Sequence, residues 1–365
     1  MNNIINVNSK QRNYKIIIDR NIRFNINNLL KPFHFSKVAI ITDDQVSKLY
    51  LEDIIQTLKD EIPFVTYEVK HGENSKSLKS FEQIHSFLLN HHFDRHSAII
   101  ALGGGVIGDL AGFVASTYMR GIGFIQVPTT LLAHDSSIGG KVAINFSNIK
   151  NVIGAFYSPH LVVYDLDMLK TLEDREIRSG FAEMVKHGWI KDEQFLNQLK
   201  NEMELNININ TNRFNDLLKR SIEIKQEVIE KDEYENDERK YLNFGHTLGH
   251  AIEAFFKDKI THGESIMYGM LFALYVSDQM NQNTTLFSLD IVNWIKKLNY
   301  PFDLINNDDD INKIINKMRL DKKNLNEKIN LVLLKEIGSP YLKSFNITDI
   351  RLLLNSFQKQ LRNML

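Results

Sequence analysis

Short apolar runs and amphipathic stretches take turns along residues 1–170, the order expected of an α/β fold. KVAIITDD (37–44), FVTYEVK (64–70), SAIIAL (97–102), GFIQVPTT (123–130) and LVVYDL (161–166) have the apolar character of buried strands. LKSFEQIHSFLLNHH (78–92) repeats its apolar residues at helical spacing. No element is predicted before Lys37. Over 171–365 the rhythm turns helical, in REIRSGFAEMVKHGWI, NDLLKRSIEIKQEVIEKD, GHTLGHAIEAFF and GESIMYGMLFALYVSDQM, with one late strand at KINLVLL (328–334). The pattern predicts an α/β domain over 1–170 and a mostly helical domain over 171–365. Two such cores are expected to face each other across a cleft, where ligand sites often lie.

Composition narrows the chemistry. The 365 residues carry a net charge of −1, which gives no general attraction to nucleic acid or membrane. There is no cysteine, so thiolate catalysis and sulfur-ligated metals are excluded, leaving His, Asp and Glu as strong metal ligands. The first residues, MNNIINVNSKQRNYK, lack the apolar core of a signal peptide, and no run of about 18 apolar residues could span a bilayer. A soluble cytoplasmic protein is the expectation.

IIALGGGVIGDLAGFVAS orders strand, glycine turn and helix. Gly103, Gly104 and Gly105 let a ligand approach the backbone, and the helix start offers N–H groups to phosphate. Gly103, Gly105 and Gly108 satisfy G-x-G-x-x-G, but the acid expected about 20 positions later is missing. Asp43, at the carboxyl end of an earlier strand, is the substitute. The turn therefore fits a phosphate-bearing ligand or merely a tight bend.

Three further stretches carry polar chemistry. PTTLLAHDSSIGGKVAINFSNIKNVIGAF (128–156) gathers small polar groups and lysines around flexible backbone, as a binding loop for a small anion would, or as a solvated connection would. GFAEMVKHG (180–188) sets Glu183, Lys186 and His187 at helical offsets; an exposed ion pair is the ordinary reading. In NFGHTLGHAIE (243–253), His246, His250 and Glu253 share one helical face, and H-x-x-x-H lacks the general-base Glu of zinc proteases. Glu183 with two of His246, His250 and His262 could hold a metal with open positions. Taken singly, each histidine could equally be an ordinary hydrogen-bonded side chain.

Together, GGGVIGDLAGFVAS, MRGIGFIQVPTTLLAHDSSIGGK, KNVIGAF, FAEMVKHG, LNFGHTLGHAIE and THGES resemble, in this order, the 3-dehydroquinate synthases, one family of sugar phosphate cyclases. The resemblance runs from Asp43 to Lys323. It implies a Rossmann-like first domain and conversion of 3-deoxy-D-arabino-heptulosonate 7-phosphate to 3-dehydroquinate and phosphate, in the shikimate pathway. The implied route is oxidation by NAD, E1cB loss of phosphate, re-reduction, ring opening and intramolecular aldol closure. It also implies a divalent metal (zinc or cobalt) and a homodimer.

By the same resemblance the metal ligands are Glu183, His246 and His262, and His250 transfers protons. NAD contacts fall on Asp43, Glu73, Lys76, Gly104, Gly105, Val106, Asp109, Thr129 and Thr130, with Lys141 and Lys150 beside them. Substrate contacts fall on Arg120, Asp135, Lys141, Lys150, Asn151, Lys186, Lys225, Arg239, Asn243, His250 and one of Lys322 or Lys323. Lys141, Asn151, Lys186 and Arg239 join His250 as catalytic candidates. The alternatives are another cyclase, such as a 2-deoxy-scyllo-inosose synthase, a metal-dependent polyol dehydrogenase, or a non-catalytic nucleotide-binding protein.

Overall fold

The structure is a computed structural model that describes residues 4–147, 149–204, 206–281, 285–305, 307–319 and 328–365. It divides into two compact units, Met1–Leu172 with Lys225–Tyr234, and Glu173–Ile224 with Glu235–Leu365.

The first unit is built on a seven-stranded sheet. Its strands are β1 (Ile4–Val7), β2 (Tyr14–Asp19), β3 (Val38–Asp43), β4 (Phe64–Val69), β5 (Ala98–Gly103), β6 (Gly123–Pro128) and, after a hairpin of β7 (Lys141–Phe146) and β8 (Ile149–Phe156), β9 (Leu161–Asp165). The order is β1-β2-β9-β6-β5-β3-β4, parallel except where β1 meets β2. Both faces are covered, which is why the central strands read as unbroken apolar runs. Ala39, Ile41, Ile99 and Ala101 pack on one side with Ile84, Leu88 and Leu110 of the helices Leu78–Asn90 and Gly105–Thr117. Val38, Ile40, Ile100 and Leu102 pack on the other with Ile54 and Leu58 of Glu52–Leu58.

All five expected strands and the helix at 78–92 are present to within two residues. Strands β1 and β2, at one end of the sheet, and the hairpin β7–β8 are additions to the pattern. β1 and β2 alternate buried and exposed positions, and β8 is exposed along much of its length, so none is enclosed on both faces as the central strands are.

The boundary also differs from a single cut at 170. Lys225–Tyr234, in the expected second domain, belongs to the first unit. Hydrogen bonds hold it there: the Gln226 amide donates to the Asn6 carbonyl (3.0 Å), the Asn8 N–H to Glu230 (2.6 Å), and the Lys10 N–H to Glu233 (2.7 Å).

The second unit is helical around His262–Met280, which is buried on nearly every face, as a central helix must be apolar all round. Asp174–Lys191 and His246–Phe256 pack against it, and β10 (Ile329–Leu334) pairs antiparallel with β11 (Pro340–Phe345). Glycines set how close these helices come. A Cβ on Gly263 would sit 1.9 Å from the Ser179 carbonyl oxygen, one on Gly269 2.0 Å from that of Gly245, and one on Gly249 2.6 Å from Ile266 Cδ1. The capping box of Thr261 and Glu264 starts the central helix, and Glu264 also pairs with Arg178 at 3.0 Å.

Gly269→Ala is expected to cost about 3 kcal/mol or more, because backbone rather than a flexible side chain would have to yield. Urea unfolding measures this; an unchanged midpoint would remove the packing constraint.

Candidate active site

In the first unit, β3 leads outward to β4, whereas β5, β6 and β9 lie in turn on the other side of β3. The order thus reverses between β3 and β5, and ligands of such sheets bind at the carboxyl ends flanking the reversal. The glycine turn ends β5 and Asp43 ends β3. The turn and Asp43 thus end two neighbouring parallel strands, which places the acid beside the turn without a downstream acid in sequence.

The glycines leave room for close neighbours. A Cβ on Gly103 would press to 2.7 Å from Ile107, on the helix that follows, and one on Gly108 to 3.0 Å from Gln126 Oε1. A Cβ on Gly104 or Gly105 would meet Thr130 Cγ2 at 3.0 Å or Ser136 Oγ at 3.1 Å. Gly104 is the N-cap of Gly105–Thr117 and provides no side-chain cap, leaving first-turn N–H groups of a 13-residue helix, Val106 among them, to a ligand. The Thr129 N–H donates to the Gly103 carbonyl (3.1 Å), fixing the neighbouring β6 end. Asp43 accepts from the Gln45 and Val46 N–H groups, both at 2.9 Å.

The GENSK loop meets the hairpin. The Lys76 ammonium is buried and pairs with Asp109 and with the Asn151 side-chain carbonyl. Burial pushes the Asp109 carboxyl above its ordinary pKa, and Lys76 opposes that shift. Glu73 accepts from Asn145 Nδ2 at 2.8 Å. Asp135 pairs with Lys225 at 2.9 Å, which brings two expected substrate residues together. Lys141 and Lys150 are exposed on the hairpin strands.

Arg120 follows the far end of Gly105–Thr117, a helix about 20 Å long at 1.5 Å per residue, so its backbone lies at the opposite end of that helix from the glycine turn. Lys322 and Lys323 lie outside the described residues.

In the second unit, Glu183 lies on Asp174–Lys191, His246 opens His246–Phe256, and His262 opens His262–Met280. Nε2 of His246 and Nε2 of His262 each stand 3.5 Å from the same oxygen, Glu183 Oε1. His246 Nδ1 lies 3.1 Å from the Phe244 carbonyl, which can only accept, so Nδ1 carries the proton and donates. Burial and the nearby Lys186 lower the His246 pKa well below its ordinary value, keeping the ring neutral with its Nε2 lone pair toward Glu183. His262 Nδ1 is 2.9 Å from Glu253 Oε2 and likewise donates. Burial alone would lower the His262 pKa, but Glu253 and Glu183 outweigh it and raise it.

Two imidazole nitrogens thus converge on one carboxylate oxygen. A tetrahedron with bonds of about 2.1 Å, the usual length for Zn–N and Zn–O, has edges of about 3.4 Å. The donor set fits a divalent metal. The His250 ring lies 5.1 Å from that of His246 and 5.7 Å from that of His262, and nitrogens of all three rings fall within 4.8 Å of one another.

Lys186 pairs with Glu183, and both are only 1% exposed, so this is a buried pair rather than the surface pair that spacing suggests. Arg239 is 2% exposed, rare for a cation outside a binding or ion-pair site. Asn243 donates from Nδ2 to Glu235 (2.6 Å), whose backbone is left-handed at φ 61°. Three residues were not singled out from sequence for these contacts: Asn145, Glu235 and Glu253. Only Glu253 left a signal, its position on the helical face of His246 and His250; the spacing does not reveal its bond to His262.

Residues 66–179 match the family model described as 3-dehydroquinate synthase N-terminal, and residues 180–324 match 3-dehydroquinate synthase C-terminal. The chain belongs to the 3-dehydroquinate synthase family. A 3-dehydroquinate synthase of Oceanobacillus iheyensis is 41% identical over 360 residues, 98% of this chain and 99% of the relative. That of Halalkalibacterium halodurans is 44% identical over 353 residues, 96% and 97% of the two chains. Among solved structures, a 2-deoxy-scyllo-inosose synthase with carbaglucose-6-phosphate, NAD+ and Co2+ shares the fold, with TM-score 0.87, 24% identity and coverage of 98% and 99%. A glycerol dehydrogenase of Schizosaccharomyces pombe shares it at TM-score 0.70 and 15% identity, over 96% of this chain and 90% of that one. The fold is therefore common to cyclases and dehydrogenases, whereas the family match separates them.

Carboxylates bonded to a ligand histidine typically contribute 10- to 100-fold to metal affinity. Glu253→Gln is expected to weaken zinc binding by about tenfold in chelator competition. Equal affinities would show that Glu253 does not hold His262 for the ion.

Proposed function

We propose that this chain converts 3-deoxy-D-arabino-heptulosonate 7-phosphate to 3-dehydroquinate and phosphate, using Glu183, His246 and His262 to hold a divalent metal and the β3/β5 carboxyl ends to hold NAD. The observation that carries the proposal is the convergence of His246 and His262 on one Glu183 oxygen beside the buried Lys186 ammonium. When bound, NAD supplies a hydride acceptor, and zinc or cobalt supplies a Lewis acid for substrate hydroxyls.

The chain's own groups bind and orient. Asp43 faces the nucleotide ribose, and the Gly104–Gly105 turn gives its N–H groups to the pyrophosphate. Glu73, Lys76, Asp109, Thr129 and Thr130 complete that side. Lys141, Lys150, Asn151, Lys186, Lys225, Arg239 and Asn243 hold the substrate's phosphate, carboxylate and hydroxyls, by charge-assisted bonds where the group is cationic. Asp135 orients Lys225. His250, beside His246, gives and takes protons at its ring nitrogens. A homodimer in the cytoplasm is the setting the resemblance implies; no helix among the described residues is long and apolar enough to cross a membrane.

Phosphate release from 3-deoxy-D-arabino-heptulosonate 7-phosphate with substoichiometric NAD tests the proposal. Many phosphates per NAD are expected, lost on chelation and restored by zinc. NADH accumulating without phosphate would mark a polyol dehydrogenase instead. Release only from a different sugar phosphate would keep the apparatus and reject the substrate.

A further inference from the structure

Asn145 sits on β7, in the stretch that connects Lys141 to Lys150, and neither the family match nor the proposed site gives it a part. Its groups nevertheless reach both sides of the first unit's network. The Asn145 backbone N–H donates to the Lys76 carbonyl at 2.9 Å. Its Nδ2 donates to Glu73 Oε1 at 2.8 Å. Its Oδ1 accepts the backbone N–H of Asn151 at 2.9 Å. The ring then closes, because the Lys76 ammonium donates to the Asn151 side chain and pairs with Asp109.

The consequence is a two-ended grip on Lys76. Asn145 holds its backbone directly and its ammonium through Asn151. Asn151 has left-handed backbone at φ 54°, a conformation that asparagine adopts more readily than other non-glycine residues and that a bond to its N–H helps to hold. The Asn145 side chain supplies that bond. On the other side, the bond to Glu73 fixes the first residue of the short turn Glu73–Ser75, which has no side-chain cap of its own at Gly72.

We propose that Asn145 is a positioning residue that ties the nucleotide-facing loop at 73–76 to Asn151, so that one amide sets both nucleotide affinity and the placement of a substrate-binding side chain. This rests on the reading that Glu73 and Lys76 face NAD and Asn151 faces substrate. An amide is required, since one side-chain atom must donate to a carboxylate while the other accepts from a backbone N–H. Leucine, of similar length, and alanine could make neither bond, and aspartate could make only one.

That asymmetry supplies the test. NAD affinity is measured by calorimetry on the full-length variants, and the KM for 3-deoxy-D-arabino-heptulosonate 7-phosphate at saturating NAD. Asn145→Ala is expected to weaken NAD binding about tenfold, from the lost bond to a charged partner, and to raise KM several-fold. Asn145→Asp keeps the acceptor for the Asn151 N–H but sets a second carboxylate against Glu73. It is expected to weaken NAD binding at least as much while leaving KM within about twofold of the parent. In Glu73→Ala, the further change Asn145→Asp is expected to lose its effect on NAD binding.

Both variants binding NAD and substrate like the parent would overturn the proposal. So would equal losses in NAD affinity and KM for alanine and aspartate, the result of a purely structural role. A parent enzyme that binds no NAD would instead reject the nucleotide reading beneath it, and Asn145 would fall with that reading.

Discussion

The chemistry of the second unit depends on how closely three helices can approach. Glu183 lies mid-helix, while His246 and His262 lie on the first residues of two others. They converge because glycine hydrogens, rather than side chains, occupy the contacts: Gly263 against Ser179, Gly269 against Gly245 and Gly249 against Ile266. An added methyl at any of these would push apart the helices that carry Glu183, His246 and His262. The same contacts give His262 its position at the helix start, where the capping box and the Arg178–Glu264 pair hold the backbone. The protein thus places its most demanding polar cluster on rigid elements, which suits a site whose donors must be held to within a fraction of an ångström.

In the first unit the strand order reverses between β3 and β5, Asp43 ends β3, and the helix after β5 begins at a glycine without a side-chain cap, the elements on which the proposed nucleotide site rests. Here too glycine permits close approach, since a Cβ on Gly103 would press to 2.7 Å from Ile107. The buried Lys76–Asp109 pair is fastened through Asn151 and Asn145 to the hairpin. An unfastened buried pair would be costly, since each charge has given up its hydration.

What could be read from the residues followed from local repetition. Buried strands such as Val38–Asp43 and Ala98–Gly103 announce themselves because both faces are apolar, and His262–Met280 because it is apolar all round. β8 stayed hidden because exposure along its length erases the alternation that marks a strand, and Lys225–Tyr234 changes units through hydrogen bonds that leave no sequence period. The site shows the same division. The motifs singled out Glu183, His246 and His262, but spacing does not disclose the contacts of Asn145, Glu235 and Glu253: Asn145 bonds a residue 72 positions away, Glu235 sits in left-handed backbone, and Glu253 reaches His262 across the break between two helices. Arg120 illustrates the reverse: a motif residue whose place at the far end of a 13-residue helix only the fold discloses.

The account stands or falls on the identity of the donors that meet an ion. Crystals of the zinc-loaded protein, measured on both sides of the zinc absorption edge, would locate it directly. The account predicts one anomalous peak bonded to Glu183, His246 and His262, with His250 outside the coordination shell. A peak held by the three histidines without Glu183, or no peak among these residues, would contradict it.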